Sequence, residues 1–200
     1  MDNTTAQAIR YLAEGSVICF PTETIYALAA DASNDAAVEA IYQLKGRKKD
    51  NPLSLMVPTS DMACRYAVMS PQALRLSDAF WPGPLTLILP LRHDAPGIAP
   101  TVTHGLSTIG IRIPDHPIAQ EILKGFGKPI VATSVNPSGL PPARTVLEVR
   151  HYYPKGLYIV EEAGSSATQA STIIDMTGMT PRIVRQGGLA EDVLRAVWEG

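Results

Sequence analysis

Four short stretches of this 200-residue sequence gather polar side chains where a small charged molecule could be held. Pro21-Thr22-Glu23-Thr24-Ile25-Tyr26 sets hydroxyls and a carboxylate directly after an apolar run. Lys45-Gly46-Arg47, with Asn51 close behind, offers two cations and a carboxamide, and Thr108-Ile109-Gly110-Ile111-Arg112 puts a guanidinium inside an apolar strand. Thr133-Ser134-Val135-Asn136 joins hydroxyls to a second carboxamide. These residue types recognise anions. Lys and Arg neutralise phosphate, and Arg can grip a phosphate or carboxylate through two parallel hydrogen bonds. Asn adds a neutral donor and acceptor, and hydroxyls satisfy the small polar groups of an amino acid. Singly, each stretch has an ordinary reading: hydroxyls cap turns, a KGRKK run is a solvated helix end favoured by the macrodipole, and a strand Arg can point to solvent. Together they suit a site for one polyanion and one small zwitterion, provided the fold brings them to one crevice beyond the strand ends.

The elements that must position these groups follow from periodicity and punctuation. Residues 5–14 place Ala8, Ile9, Leu12 and Ala13 at helical spacing and stop at Gly15. The β-branched run 16–20 reads as a strand ended by Pro21. A helix over 34–44 starts at Asn34 as N-cap and delivers Lys45 to Lys49 into a loop. Strands are expected at 53–57, 85–91, 107–113, 129–134, 157–161, 171–176 and 182–185, and helices at 60–68, 71–80, 116–126, 145–152 and 190–198. Residues 92–105 hold two prolines and two glycines and read as a surface excursion. About eight strands and six or seven helices in irregular alternation predict an α/β (α+β) class with a twisted mixed sheet flanked by helices. No repeat or linker divides the chain, so one domain over residues 1–200 is expected.

Composition narrows the function classes. The chain is 46% hydrophobic and 18% charged, close to globular averages. Its formal charge of −2 and 6% aromatic content argue against a broad polycationic, base-stacking RNA surface, so any basic site is local. Cys19 and Cys64 form no CxxC motif, which removes a disulfide framework and a zinc knuckle and fits a reducing cytoplasm. The four histidines show no HExxH spacing. Gly125-Phe126-Gly127-Lys128 lacks the spacing of a Walker or dinucleotide loop, and there is no GxSxG elbow. No run of 18 apolar residues predicts a membrane span.

The strings FPTETIYALAADA (20–32), KGRKKDNPL (45–53), WPGPLT (81–86), STIGIRIPDHPIA (107–119), PIVATSVNPSG (129–139) and STIIDMTGMTPRIVRQGG (171–188) resemble, in order, the YrdC-like family of threonylcarbamoyl-AMP synthases. The resemblance spans residues 7–190. It implies a single α/β domain around an open basic cavity, in the short form that has no additional C-terminal domain. It also implies an enzyme, a nucleotidyltransferase that joins L-threonine, bicarbonate or CO2 and ATP into threonylcarbamoyl-AMP and pyrophosphate, with Mg²⁺ on the phosphates. The product would feed the t6A37 modification of ANN-decoding tRNAs through downstream threonylcarbamoyl-transfer proteins.

Carried over position by position, the resemblance makes Lys45, Arg47, Ser134 and Asn136 the signature lining the cavity, with Lys45 near the reacting phosphate or carbamate. It puts Arg47, Asn51, Thr108, Asn136, Arg144 and Arg185 on ATP, and Thr24, Arg112, Ser134 and Ser171 on threonine. Two positions depart from the pattern: Met56 stands where longer members carry a threonine-contacting His, and Ala27 stands for a glycine in PTxTxYGL. Three rivals remain at this level, one of them a catalytically lapsed paralogue, against which retention of all four signature residues argues. A carbamoyltransferase relative would bring acylphosphatase-like and zinc-finger-like portions that this sequence lacks, and a non-catalytic RNA-binding module would rest on Arg47-Lys48-Lys49 alone.

Overall fold

The computed structural model describes residues 3–162 and 169–200. Nine strands among them form one mixed sheet: β1 (Ile18–Phe20), β2 (Ala27–Asp31), β3 (Ser54–Met56), β4 (Leu85–Pro90), β5 (Thr108–Arg112), β6 (Ile130–Ser134), β7 (Tyr158–Ile159), β8 (Thr172–Asp175) and β9 (Arg182–Arg185). They lie in the order β7-β1-β2-β6-β3-β5-β4-β8-β9, with β1/β7, β3/β5 and β4/β8 parallel and the remaining neighbours antiparallel. The helices are α1 (Asn3–Ala13), α2 (Asp35–Lys45), α3 (Ser60–Tyr66), α4 (Pro71–Phe80), α5 (Pro100–Thr103), α6 (Pro117–Phe126), α7 (Val146–Tyr152) and α8 (Glu191–Glu199). None is long and apolar enough to cross a membrane.

The two sheet faces are covered unequally, and this inequality makes the site. On one face Leu28, Leu55, Leu87, Ile111 and Ile174 join Val38 and Ile41 of α2, Leu76 of α4 and Trp198 of α8 in a continuous core. On the other, α1 and α6 pack against each other and cover Phe20, Ala29, Ala132 and Ile130. That cover reaches the β1, β2 and β6 side, while the neighbouring surface of β3, β5, β4 and β8 is where a cavity opens.

Two elements differ from the sequence-based expectation. β2 (ALAAD) was not expected as a strand because alanines carry little β preference and show no alternation. All five of its residues are buried, since it runs between β1 and β6 with both faces covered. The excursion at 92–105 contains α5, a single turn opened by Pro100 and closed by His104 in the left-handed region at φ 49°. It is tied inward: Thr101 N donates to the Asp35 carboxylate at 3.1 Å and Leu53 N donates to Val102 O at 3.4 Å. The excursion therefore buttresses α2 and the entry to β3.

Candidate active site

A row of small residues makes the floor. Antiparallel β6/β3 pairing sets Ala132 opposite Ser54, and parallel β3/β5 pairing sets Ser54 opposite Gly110. Cross-strand neighbours share a face, so three adjacent strands present almost no side-chain bulk there. The cavity above this row has a volume of about 140 Å³ and an open mouth. That is below the roughly 300–1,000 Å³ of typical ligand pockets, so the enclosed part fits a small molecule and a larger one must extend outward.

Three guanidiniums stand around the floor. Arg47 is delivered by the end of α2, where Gly46 adopts φ 58° and its N–H and that of Arg47 close onto Gln43 O and Tyr42 O. This left-handed cap, easy for glycine, turns the chain sharply out of the helix. Arg47 then donates from Nε to Asn51 O at 2.8 Å, and from Nη2 to Asn51 Oδ1 at 2.9 Å and Pro52 O at 2.8 Å. Arg185 ends β9 and donates from Nη2 to Ser171 O at 2.8 Å and Ser171 Oγ at 3.1 Å. Burial, with the like charges of Arg112 and Arg47 nearby, pushes the Arg185 guanidinium below its ordinary value, and burial does the same to Arg47. Such a cluster of mutually repelling cations is stabilised by an arriving anion.

Arg112, the last residue of β5, is 5% exposed. Its Nη2 donates to Glu23 Oε1 at 2.7 Å and Thr24 Oγ1 at 2.8 Å, and its Nε donates to Gly83 O at 3.3 Å. Nη1 makes no hydrogen bond to the described residues and is not sealed off from the cavity that Arg112 lines. The fork is thus held rigidly by three groups, with one end left for a ligand.

Lys45, expected near the reacting phosphate or carbamate, is bonded within the chain itself. Its ammonium is buried and donates to Ser134 O at 2.5 Å, Asn136 O at 2.8 Å and Asn136 Oδ1 at 3.0 Å, one acceptor for each proton. Burial and the nearby Arg47 push its pKa down to about 7. Ser134 Oγ donates to Asn136 Oδ1 at 2.6 Å, so Lys45, Ser134 and Asn136 form one network tying α2 to the end of β6. Ser134 lines the cavity, whereas Lys45 and Asn136 lie behind it.

Of the other expected contacts, Ser171 lines the cavity and shares a 2.9 Å hydrogen bond with Thr86. Thr24 lies one step behind, holding Arg112, and Asn51 braces Arg47. Thr108 sits at the opposite end of β5 from Arg112, paired with Pro90, away from the enclosed part. Arg144 is exposed in the loop before α7. Met56 and Ala27 both line the cavity. Sequence reasoning missed Ser54 and Thr86, although each is a hydroxyl inside an apolar strand, the same signal that singled out Arg112.

Gly187 shows how tightly the Ser171 segment is fixed. A Cβ there would lie 2.3 Å from Ala170 O, 2.4 Å from Ser171 C and 2.5 Å from Thr172 N, all backbone atoms. Gly187→Ala is therefore expected to lower stability by about 1–3 kcal/mol, the usual cost of overpacking, and to displace Ser171 and Arg185. Urea denaturation checks it, and an unchanged midpoint would contradict the close approach.

Comparison with known proteins agrees with this architecture. The Sua5/YciO/YrdC family profile, described as "Telomere recombination", matches residues 10–187. The chain is 39% identical to the threonylcarbamoyl-AMP synthase of Bacillus subtilis, over 98% of this chain and 57% of that one. It is 34% identical to the synthase of Photobacterium profundum, over 94% of this chain and 100% of that one. Among solved structures, P. abyssi Sua5 complexed with L-threonine superposes with a TM-score of 0.90 at 35% identity, covering 96% of this chain and 56% of that chain. The chain thus spans little more than half the length of the Bacillus and P. abyssi relatives. With a profile match over most of its length and the same fold as a threonine-bound member, this protein belongs to the Sua5/YciO/YrdC family.

Proposed function

We propose that this protein is a threonylcarbamoyl-AMP synthase, converting L-threonine, bicarbonate or CO2 and ATP into threonylcarbamoyl-adenylate and pyrophosphate. The observation that carries the reading is the convergence of Arg47, Arg112 and Arg185 on a small-floored cavity whose lining, among the described residues, contains no carboxylate. A reaction between two anions needs such a place. The threonine amine adds to CO2 to give a carbamate with loss of a proton. A carbamate oxygen then attacks the α-phosphorus, and the bond to the bridging oxygen breaks as pyrophosphate leaves. Both partners are negative, so preorganised cations must cancel their repulsion and the charge growing on the leaving group. Holding a short-lived carbamate against the phosphate supplies much of the remaining acceleration.

In this reading Arg112, Ser134 and Ser171 receive threonine with Thr24 fixing the Arg112 fork, and Arg47 and Arg185 face the phosphates. Asn136 and Lys45 act through Ser134, Asn51 acts through Arg47, and Thr108 and Arg144 meet the parts of ATP outside the enclosed volume. Among the described residues no group of three or more His, Cys, Asp or Glu comes together to hold a metal ion, and magnesium enters as the counter-ion of the triphosphate. The product passes to tRNA through the proteins that transfer the threonylcarbamoyl group.

Pyrophosphate release is expected to require threonine and bicarbonate together, with the adenylate identified by mass. Equal release with ATP alone would sink the synthase reading. Arg47→Ala is expected to cost about 2–4 kcal/mol of transition-state stabilisation through loss of a charge-assisted phosphate contact. Near wild-type turnover in that variant would mean that Arg47 makes no phosphate contact in the transition state.

A further inference from the structure

We propose that Ser54 selects the amino acid, its Oγ hydrogen-bonding the side-chain hydroxyl of the bound substrate. The inference rests on the synthase reading and assigns a specificity residue to it. Ser54 sits in the middle of the floor, between Ala132 on one side and Gly110 on the other, neither of which has a polar side chain. Four hydroxyls around it are engaged: Ser134 Oγ donates to Asn136, Thr22 Oγ1 donates to Ile25 O at 2.7 Å, and Thr86 and Ser171 bond each other, while the unpartnered Tyr26 hydroxyl is buried with its ring in the core of the opposite sheet face. Thr133 also borders the cavity, but it pairs directly with Leu28, which belongs to the core of the opposite sheet face, so its side chain does not share the floor with Ser54.

Ser54 Oγ, in contrast, has no hydrogen bond to any described residue, and it is not among the buried orphans, so it is open to the cavity its residue lines. A hydroxyl that faces the cavity with no protein partner is free to exchange water for a polar group of a ligand, as donor or as acceptor.

Gly110 makes room for this hydroxyl. A Cβ at Gly110 would stand 2.5 Å from Ser54 Oγ and 3.2 Å from Ser54 Cβ. The glycine lies in mid-strand without a positive φ, where it weakens the sheet and no turn requires it. Its absent side chain leaves the notch into which Ser54 Oγ leans.

The neighbouring row then orders the ligand. Met56 and Arg112 face each other across β3 and β5, two residues along from the Ser54–Gly110 pair, a spacing of about 7 Å along the strands. An α-amino acid anchored by its carboxylate at Arg112 Nη1 extends its side chain along this floor toward Ser54. Met56 lines the intervening span with a thioether, which suits a methyl group and accepts hydrogen bonds only weakly. A β-hydroxy amino acid with a methyl substituent satisfies Arg112, Met56 and Ser54 together. An apolar isostere leaves Ser54 unpaired, which is the stronger form of rejection a pocket can achieve.

The experiment is calorimetric titration of threonine, valine and ATP into the wild-type chain and Ser54→Ala, with thermal melts of both. Alanine already occupies the adjacent Ala132 position in the same row, so the variant is expected to melt as wild type does. Threonine affinity is expected to fall about tenfold in the variant, with valine and ATP affinities unchanged, so that discrimination between the two amino acids collapses. Equal threonine affinity in the two proteins overturns the assignment while leaving the synthase reading intact. Equal losses for threonine and valine also overturn it, since they mark a merely structural role. No threonine binding by the wild-type chain overturns the synthase reading and this inference with it.

Discussion

Lys45→Met is expected to lose about 3 kcal/mol or more of folding stability, and catalytic turnover with it. The substitution keeps the length of the stem but removes an ammonium that serves three buried acceptors at once: Ser134 O, Asn136 O and Asn136 Oδ1. A buried acceptor stripped of its partner costs about 1–3 kcal/mol, and the loss falls chiefly on the two carbonyl oxygens, since Asn136 Oδ1 keeps the Ser134 hydroxyl as a donor. The consequence extends to the cavity because Asn136 Oδ1 also accepts from Ser134 Oγ, the hydroxyl on its wall. Asn136 is held further by its Nδ2 donating to Leu140 O at 2.7 Å and Pro137 O at 3.0 Å. Urea denaturation of Lys45→Met against Arg47→Ala separates the two basic residues. Arg47→Ala is expected to change turnover far more than the midpoint, whereas Lys45→Met changes both. An unchanged midpoint in Lys45→Met would mean that the three hydrogen bonds contribute nothing to the fold.

Arg112→Lys is expected to abolish threonine binding within the range of calorimetry, a loss of at least about 2.7 kcal/mol, or roughly a hundredfold. Lysine keeps the charge but not the planar fork, and the fork is what links Glu23, Thr24 and Gly83 on one side to a free Nη1 on the other. The conservative change is the better test because Arg112→Ala also leaves the Glu23 carboxylate without its cation. Breaking a buried pair in that way is strongly destabilising in its own right. Glu23 is poorly placed to tolerate it, since its Oε2 is buried without a partner already. Threonine affinity unchanged in Arg112→Lys would put the carboxylate elsewhere in the cavity. At the neighbouring position, Met56→His is expected to alter threonine affinity by no more than about tenfold, the worth of one added hydrogen bond.

Much of the fold was written locally. The amphipathic spacing of Ala37, Val38 and Ile41, the Asn34 cap and the Gly46 stop mark α2 within its own residues, because helix hydrogen bonds and caps reach only a few positions along the chain. Strands β4, β5 and β6 announced themselves as short β-branched or leucine-rich runs bounded by proline or glycine. β2 did not, because its alanines are chosen for the thin space between flanking elements, a property of neighbours and not of the segment. Likewise α5 is one turn long and held by Asp35 and Leu53, far away in sequence.

For the site, the sequence by itself determined the inventory: guanidiniums, hydroxyls and carboxamides at element ends, and therefore a preference for anions. It also marked Arg112 as unusual by its setting in an apolar strand. Only the tertiary structure decided which of these groups meet. Strand order β6-β3-β5-β4-β8 is set by pairings between distant segments, and it is this order that brings Ser134, Ser54, Arg112, Thr86 and Ser171 around one floor. The same order leaves Thr108 at the far end of its strand and turns Lys45 inward, since a cation at the end of α2 meets the carbonyls of Ser134, the last residue of β6, and of Asn136 just beyond it. Residue type fixes what a side chain can bind; the register between strands, which no local pattern encodes, fixes whether it is there to bind it.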